Sequence, residues 1–124
     1  MRTDTTYAAA QDHIAAAERE LRLGNKFEAE RLFVWAAGAQ HRILRELPRR
    51  KLVTRSVLGQ SAAALYFRGG LLREAERLAA ATLAMPGVEA GAAQHCRELL
   101  EMIWAQRGSP DCPFVRPAPE GDTP

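Results

Sequence analysis

Apolar residues recur along the chain at spacings of three, four and seven, which is typical of helices that bury one face. No window alternates between apolar and polar residues as a half-buried strand does. Glycine, asparagine and proline interrupt the pattern around residues 24–25, 48, 69–70 and 86–87. The pattern therefore predicts an all-α fold with about five helices, near residues 5–23, 27–47, 52–68, 71–84 and 88–106. The third helix is alternatively expected to begin at Ser56 and the fifth at Gly91.

The predicted core follows the apolar stripe of each helix. In the second helix the spacing predicts that these residues face inward: Phe27, Leu32, Phe33, Ala36, Ala37, Ile43, Leu44 and Leu47. Composition agrees with an all-α fold, because alanine, the best helix former, supplies much of the 47% hydrophobic content. A chain of 124 residues is long enough for one modest core and too short for two domains.

Two segments of the chain resemble each other. Residues 22–32 and 68–78 match at seven of eleven positions when they are offset by 46 residues. The matching pairs are Arg22/Arg68, Gly24/Gly70, Glu28/Glu74, Ala29/Ala75, Glu30/Glu76, Arg31/Arg77 and Leu32/Leu78. Each copy spans the end of one helix, a turn and the start of the next, with glycine for positive φ and a small alanine where helices cross. The sequence therefore predicts tandem helical hairpins.

These residues resemble the tetratricopeptide repeat. The positions that fit are Ala17, Gly24, Ala29, Phe33 and Ala36 in the first copy, and Tyr66, Gly70, Leu72, Ala75, Ala79, Leu83 and Pro86 in the second. The resemblance covers about residues 11–106, and the fifth helix is similar to the capping helix of such arrays. It departs from the family in its offset, which exceeds the usual repeat of about 34 residues, and at Glu20 and Gly59. HEAT-type helical pairs are the nearest alternative.

The resemblance implies a right-handed α-α superhelix of antiparallel helical hairpins over residues 1–107. The proline-rich residues 108–124 are expected to form a flexible tail. The resemblance also implies a concave groove lined by the first helix of each hairpin. Its residues would be Gln11, Ile14, Glu18 and Arg22 from the first copy, and Val57, Gln60, Ala64, Phe67 and Arg68 from the second.

One subclass of the family holds a peptide's terminal carboxylate with lysine and asparagine at the positions of Ile14 and Glu18. That clamp is therefore not expected here. Arg22 and Arg68, one repeat apart, are placed to hold an acidic ligand instead. The alternative is that both are ordinary cations at helix C-termini, where they favour the helix dipole.

The strongest charge cluster of the chain is opposed only by Glu46. It comprises Arg42, Arg45, Arg49, Arg50, Lys51 and Arg55, which we call the basic segment. The cluster is suited to nucleic-acid phosphates or to an acidic protein, although no aromatic residue interleaves with it for base stacking. The alternative is a solvated connection between two hairpins.

Neither a cofactor nor a metal is expected, and neither is enzymatic activity. His13, His41 and His95 fall on separate predicted helices without a second ligand one turn away, and no nucleophile or phosphate-loop motif is present. The net charge of +2 argues against a protein devoted to nucleic acid. Two cysteines, no signal-peptide pattern and no long apolar run predict a cytoplasmic protein that does not enter the membrane.

Two hairpins and a cap are few for an array of this kind, for which about three repeats are usual. A homodimer or docking on a larger partner would complete the core, and Trp35 or Trp104 would then be an interface residue rather than a packing residue. The tail residues Phe114 and Val115 are alternatively a ligand for the domain itself. The sequence predicts an adaptor or small chaperone that binds a peptide or helix of a partner protein, with RNA or DNA binding through the basic segment as the alternative.

Overall fold

The computed structural model describes the backbone of residues 2–108 and the side chains of residues 7–108, and this range is entirely helical apart from its connections. The helices are α1 (Arg2–Arg22), α2 (Lys26–Glu46), α3 (Leu52–Arg68), α4 (Leu72–Leu83) and α5 (Ala90–Arg107). All five predicted helices are confirmed. Helix α1 begins before its expected start, α3 begins at the earlier of its two expected starts, and α5 begins between its two. The predicted tail lies outside the described residues beyond Gly108, which ends α5.

The turns of the two repeated segments have the same hydrogen bonds. In the first, the Gly24 N–H donates to the Leu21 carbonyl at 3.0 Å and the Asn25 N–H donates to the Glu20 carbonyl at 2.8 Å. Both bonds recur 46 residues later, from Gly70 to Phe67 at 3.0 Å and from Leu71 to Tyr66 at 2.9 Å. Gly24 and Gly70 have φ values of 85° and 84°, which only glycine adopts without strain. The predicted pair of identical turns is confirmed.

Each helix packs on the next one along the chain, and α3 also packs on α5. The interior contains two groups of buried residues. The alanine cluster, between α1, α2 and the end of α3, consists of Ala10, Ala17, Ala29, Phe33, Ala36, Ala37 and Leu65. The leucine cluster, between α2 and α5, is built mainly from Ile43, Leu44, Leu58, Leu72, Leu78, Leu99, Leu100 and Ile103.

One predicted core residue is wrong. Phe27 is 90% exposed, whereas Ala29 and Phe33 of the same helix are buried. The reason is the helical period: at about 100° per residue, Phe27 lies about 200° around the helix from Ala29 and points away from α1. The spacing places Phe27 in the apolar stripe, but the buried face of α2 begins at Ala29 and does not include Phe27.

Gly59, a departure from the tetratricopeptide pattern, has a structural explanation. It is buried in α3 against Thr82 of α4, and a Cβ atom at this position would overlap the Thr82 side chain. Glycine therefore allows α3 and α4 to approach closely at this crossing.

Candidate functional site

The groove-lining residues that the sequence predicts on α1 and α3 lie on neighbouring helices that run in the same direction. Near their C-terminal ends, Arg68 Nη1 of α3 lies 3.8 Å from Glu18 Oε2 of α1. Near their N-terminal ends, Tyr7 of α1 lines the same cavity as Val53 and Val57 of α3. The residue pairs at both ends place α1 and α3 side by side.

A groove separates these two helices. No Cα atom of α1 lies within 8 Å of a Cα atom of α3, although α2 packs on both. The helices α1 and α3 are thus the walls of the groove and α2 is its floor. Where α1 begins, the groove widens into a cavity of about 510 Å³, which we call the notch. Apolar side chains dominate its lining: Tyr7, Ile43, Leu47, Val53, Val57 and Leu58.

The predicted groove residues differ in exposure. Gln11, Glu18, Arg22 and Arg68 are exposed, so they are accessible to a partner. Val57 is exposed as well, and the remaining four are half-buried: Ile14, Gln60, Ala64 and Phe67. Ile14 packs against the alanine cluster and Phe67 against the leucine cluster, so both also contribute to the core.

The two arginines of the predicted acidic-ligand site have different surroundings. The Arg68 guanidinium carbon lies 4.1 Å from the centre of the Phe33 ring, and the same guanidinium is paired with Glu18. Such a contact fixes the side chain over the floor of the groove. Arg22 is exposed in the last turn of α1 and forms no ion pair with the described residues. Arg68 therefore contributes to holding the hairpins together, whereas Arg22 does not.

Sequence reasoning missed several residues of the notch. Tyr7 and Val53, which are 45% and 60% exposed, lie one turn before the predicted groove residues Gln11 and Val57. A spacing of four residues would have extended the predicted faces to include both. The floor residue Leu47, assigned to the core, is only half-buried because the groove opens above it.

The basic segment does not form one continuous patch. Arg42 and Arg45 line a second cavity of about 540 Å³ between α1 and α2, together with Trp35 and Ala9. Arg55 Nη1 donates to the carbonyls of Leu44 at 3.3 Å and Leu47 at 3.0 Å, and so caps the end of α2. The exposed cations of the α2–α3 connection are Arg49, Arg50 and Lys51.

Both tryptophans are about half-exposed. Trp35 is 47% exposed and stacks on His13 with ring centres 3.8 Å apart. Trp104 is 54% exposed, and its Nε1 donates to Glu76 at 2.8 Å. Glu76 also pairs with Arg107, and hydrogen bonds from Trp104 and Arg107 lower the pKa of its carboxyl. Both indoles therefore combine a packing contact with an exposed surface.

His41 and Tyr66 connect α2 to α3. His41 Nδ1 lies 3.1 Å from the Tyr66 hydroxyl. Partial burial lowers the pKa of His41, and the nearby Arg45 lowers it further, while burial raises the pKa of Tyr66. This hydrogen-bonded pair lines a cavity of about 330 Å³, and no cysteine, serine or threonine is among the described residues of its lining. Within residues 2–108 no three histidine, cysteine or acidic residues converge as metal ligands.

A cavity larger than the notch is a different kind of surface. It has a volume of about 900 Å³ beside the first turns of α4, and its wall contains both charges, including Arg73, Arg77, Glu74 and the Glu76–Arg107 pair. Its apolar residues are Leu71 and Leu72, whereas apolar side chains dominate the lining of the notch. The notch is therefore the better candidate for holding an apolar segment.

The helices in the described part of the chain are all too short or too polar to cross a membrane. In comparisons with known proteins, no family model, curated protein or solved structure gave a significant match. The tetratricopeptide resemblance therefore depends on the quoted residues of this chain.

Proposed function

We propose that the chain is a protein–protein interaction module of the tetratricopeptide type, an adaptor or small chaperone. Its groove between α1 and α3, or the open end of its array, binds a peptide or helix of a partner protein. The observation that carries the proposal is the gap between two parallel helix faces, with an apolar notch at one end. The two identical turns support the repeat architecture, and a right-handed superhelical course of the hairpins is part of the proposal.

The energetics of the notch support this function. Tyr7, Val53 and Val57 are each 45–60% exposed and close together, although apolar side chains of this size are more stable when buried. Completing the burial of one such side chain contributes about 1 kcal/mol or more to binding. A partner that covers these residues gains that free energy, and the isolated chain does not.

Photo-crosslinking in living cells tests the proposal. A photoreactive amino acid replaces Gln60 on the groove wall, and a matched variant carries it at the exposed Ala80 of α4. We expect one reproducible protein adduct from position 60 that is absent from position 80, and a pull-down that recovers the same protein. Equal labelling from both positions, or none from position 60, contradicts the proposal.

A second candidate function, RNA or DNA binding, is favoured by one observation. Trp35, Arg42 and Arg45 of α2 line one cavity, so the helix gives these two arginines an aromatic neighbour that does not interleave with them in the sequence. Single-stranded RNA and DNA oligonucleotides are the probes. Changing both arginines to glutamine should reduce the slope of log K against log salt concentration by about 1.4. An unchanged slope rules out this cavity, and the same change at Arg49, Arg50 and Lys51 tests the connection.

A further inference from the structure

The notch lies beside the most cationic part of the chain. Residues 48–52 connect Leu47 on the floor to Val53 on the wall, and this connection carries Arg49, Arg50 and Lys51. All three are exposed and form no ion pair with the described residues. The first turn of α3 contains no acidic residue, and Glu46 at the end of α2 is the one acid of the basic segment. One end of an apolar cavity is therefore strongly positive.

The lining of the notch favours a helical occupant. The walls are side chains on two helices, whose backbone groups are already paired within the helices, and no strand edge is present in the described residues. An extended peptide would leave its own N–H and C=O groups unpaired against Val53, Val57 and Tyr7, which is unfavourable. A helix satisfies its backbone internally and presents apolar side chains at positions i, i+3 or i+4 and i+7.

From these two features we infer that the occupant is an amphipathic helix of a partner protein with acidic flanks. Its apolar face fills the notch against Tyr7, Val53 and Val57, and its carboxylates lie toward Arg49, Arg50 and Lys51. The acidic flanks speed association and set the orientation, while burial of the apolar face supplies most of the affinity. This inference rests on the proposed function and specifies the partner's chemistry.

A second copy of the chain fits this site poorly. A two-fold pairing of notch against notch brings together two α2–α3 connections, each of which carries Arg49, Arg50 and Lys51. Like charges at such an interface oppose association. The chain's own residues 109–124 include an apolar pair, Phe114 and Val115, together with five prolines, a residue type that disfavours the interior of a helix. Both occupants remain distinguishable outcomes of the test.

Two synthetic helical peptides of equal length test the inference. They share one stripe of leucines at positions i, i+3, i+7 and i+10, and differ only in flanks of glutamate or lysine. Binding to the full chain is followed by fluorescence anisotropy. We expect the glutamate peptide to bind about tenfold more tightly than the lysine peptide. Reversing the charge of Arg49, Arg50 and Lys51 to glutamate should invert that order.

Matched variants locate the binding site. Val57→Asp or Val53→Asp should weaken the glutamate peptide by about tenfold or more, since each places a charge against the leucine stripe. Phe27→Asp is the control and should leave binding unchanged, because Phe27 is an exposed apolar residue at the end of α2 that lies away from the notch. Circular dichroism checks that each variant is folded, which we expect because Val53 and Val57 are largely exposed.

Each other outcome contradicts the inference in its own way. If both peptides bind equally and Val57→Asp abolishes both, the groove binds helices without charge preference, and the proposed function stands alone. If Phe114→Ser strengthens binding of both peptides, the tail is the occupant. If Val57→Asp halves the mass measured by sedimentation, a second copy is the occupant. If neither Val53→Asp nor Val57→Asp changes the affinity for the peptides, the notch is not the binding site. The proposed function is then tested separately by the crosslinking from position 60.

Discussion

The two hairpins have similar turns, but the two clusters of buried residues that hold them consist of different side chains. Between α1 and α2 the buried surface is mostly alanine, and Phe33 and Leu65 are its large members. Between α2 and α5 leucine and isoleucine dominate. Each buried CH₂ or methyl group contributes about 0.8 kcal/mol, so an alanine contributes well under half of what a leucine does. The first hairpin is therefore expected to be the less stable one, although α1 and α2 are the longest helices.

This difference bears on the groove. The wall formed by α1 is held by the alanine cluster, whereas the wall formed by α3 is held by both clusters and by α5. Local opening is easiest where few large apolar side chains are buried. We therefore expect α1 to be the wall that adjusts when a partner binds, and α3 to be the fixed one.

The largest expected effect is at Phe33, which is 1% exposed. Phe33→Ala should cost about 3–5 kcal/mol, because it removes the main large side chain of the alanine cluster. Hydrogen exchange should then speed up in α1 and the first half of α2 more than in α4. Ile103→Ala, in the leucine cluster, should cost about 2–5 kcal/mol and speed exchange in all helices. If the two variants give the same exchange pattern, the clusters form a single cooperative unit.

Two glycines are expected to respond in opposite directions. Gly59→Ala should destabilise the protein by about 1–3 kcal/mol, because the new methyl group overlaps Thr82. Gly38→Ala, in the middle of α2, should stabilise it by about 0.5–1 kcal/mol, because no atom lies within 4 Å of the added Cβ and alanine favours the helix. Urea denaturation measures both. A loss of stability at Gly38 would mean that its surroundings are closed in solution.

Gln40 lies on α2 between the two clusters and is 1% exposed, and its Oε1 has no hydrogen-bond partner among the described residues. Gln40→Met replaces this unpaired acceptor with an apolar side chain of similar length and joins the clusters. We expect a gain of about 1 kcal/mol in the free energy of unfolding. A loss of stability would show that the Gln40 amide is hydrogen-bonded in solution.

The smallest expected effect is a pH dependence from His41. Its pKa is lower in the folded protein than the ordinary 6.5 of the unfolded chain, because of partial burial and Arg45. The unfolded state therefore binds more protons as the pH falls below that value, and stability decreases from about pH 7 downward. Urea midpoints measured between pH 7.5 and 5.5, about one unit either side of the ordinary histidine pKa, should show this decrease, and His41→Asn should flatten it. An identical slope in the variant assigns the effect to other groups.

Much of the fold was predictable from the sequence because the signals are local. Gly24 and Gly70 indicate turns, because they adopt positive φ values that other residues avoid. Pro48 and Pro86 indicate helix ends, because proline disrupts the interior of a helix. The apolar spacing predicted which face of each helix is buried. It was wrong at Phe27, because a period alone does not say where a stripe begins.

The groove was less predictable. Gln11, Glu18, Gln60 and Arg68 were named through a family resemblance, and the structure places both helix faces side by side. The notch itself was missed, because its residues come from three helices and their proximity depends on how far apart α1 and α3 lie. The distance between α1 and α3 depends on the side chains of α2 that lie between them, and it cannot be predicted from a local sequence pattern.

The sequence by itself determined five helices, their order, and two identical turns 46 residues apart. Only the tertiary structure decided that α3 packs on α5 and is separated from α1 by a groove. It also decided that Tyr7, Val53 and Val57 line one cavity, and that the cations of the basic segment lie in a second cavity, at the end of α2 and in the α2–α3 connection. The physical reason is range. Helix periods and turn conformations are set by neighbours within a few residues, whereas a groove depends on the balance of contacts between helices distant in the chain.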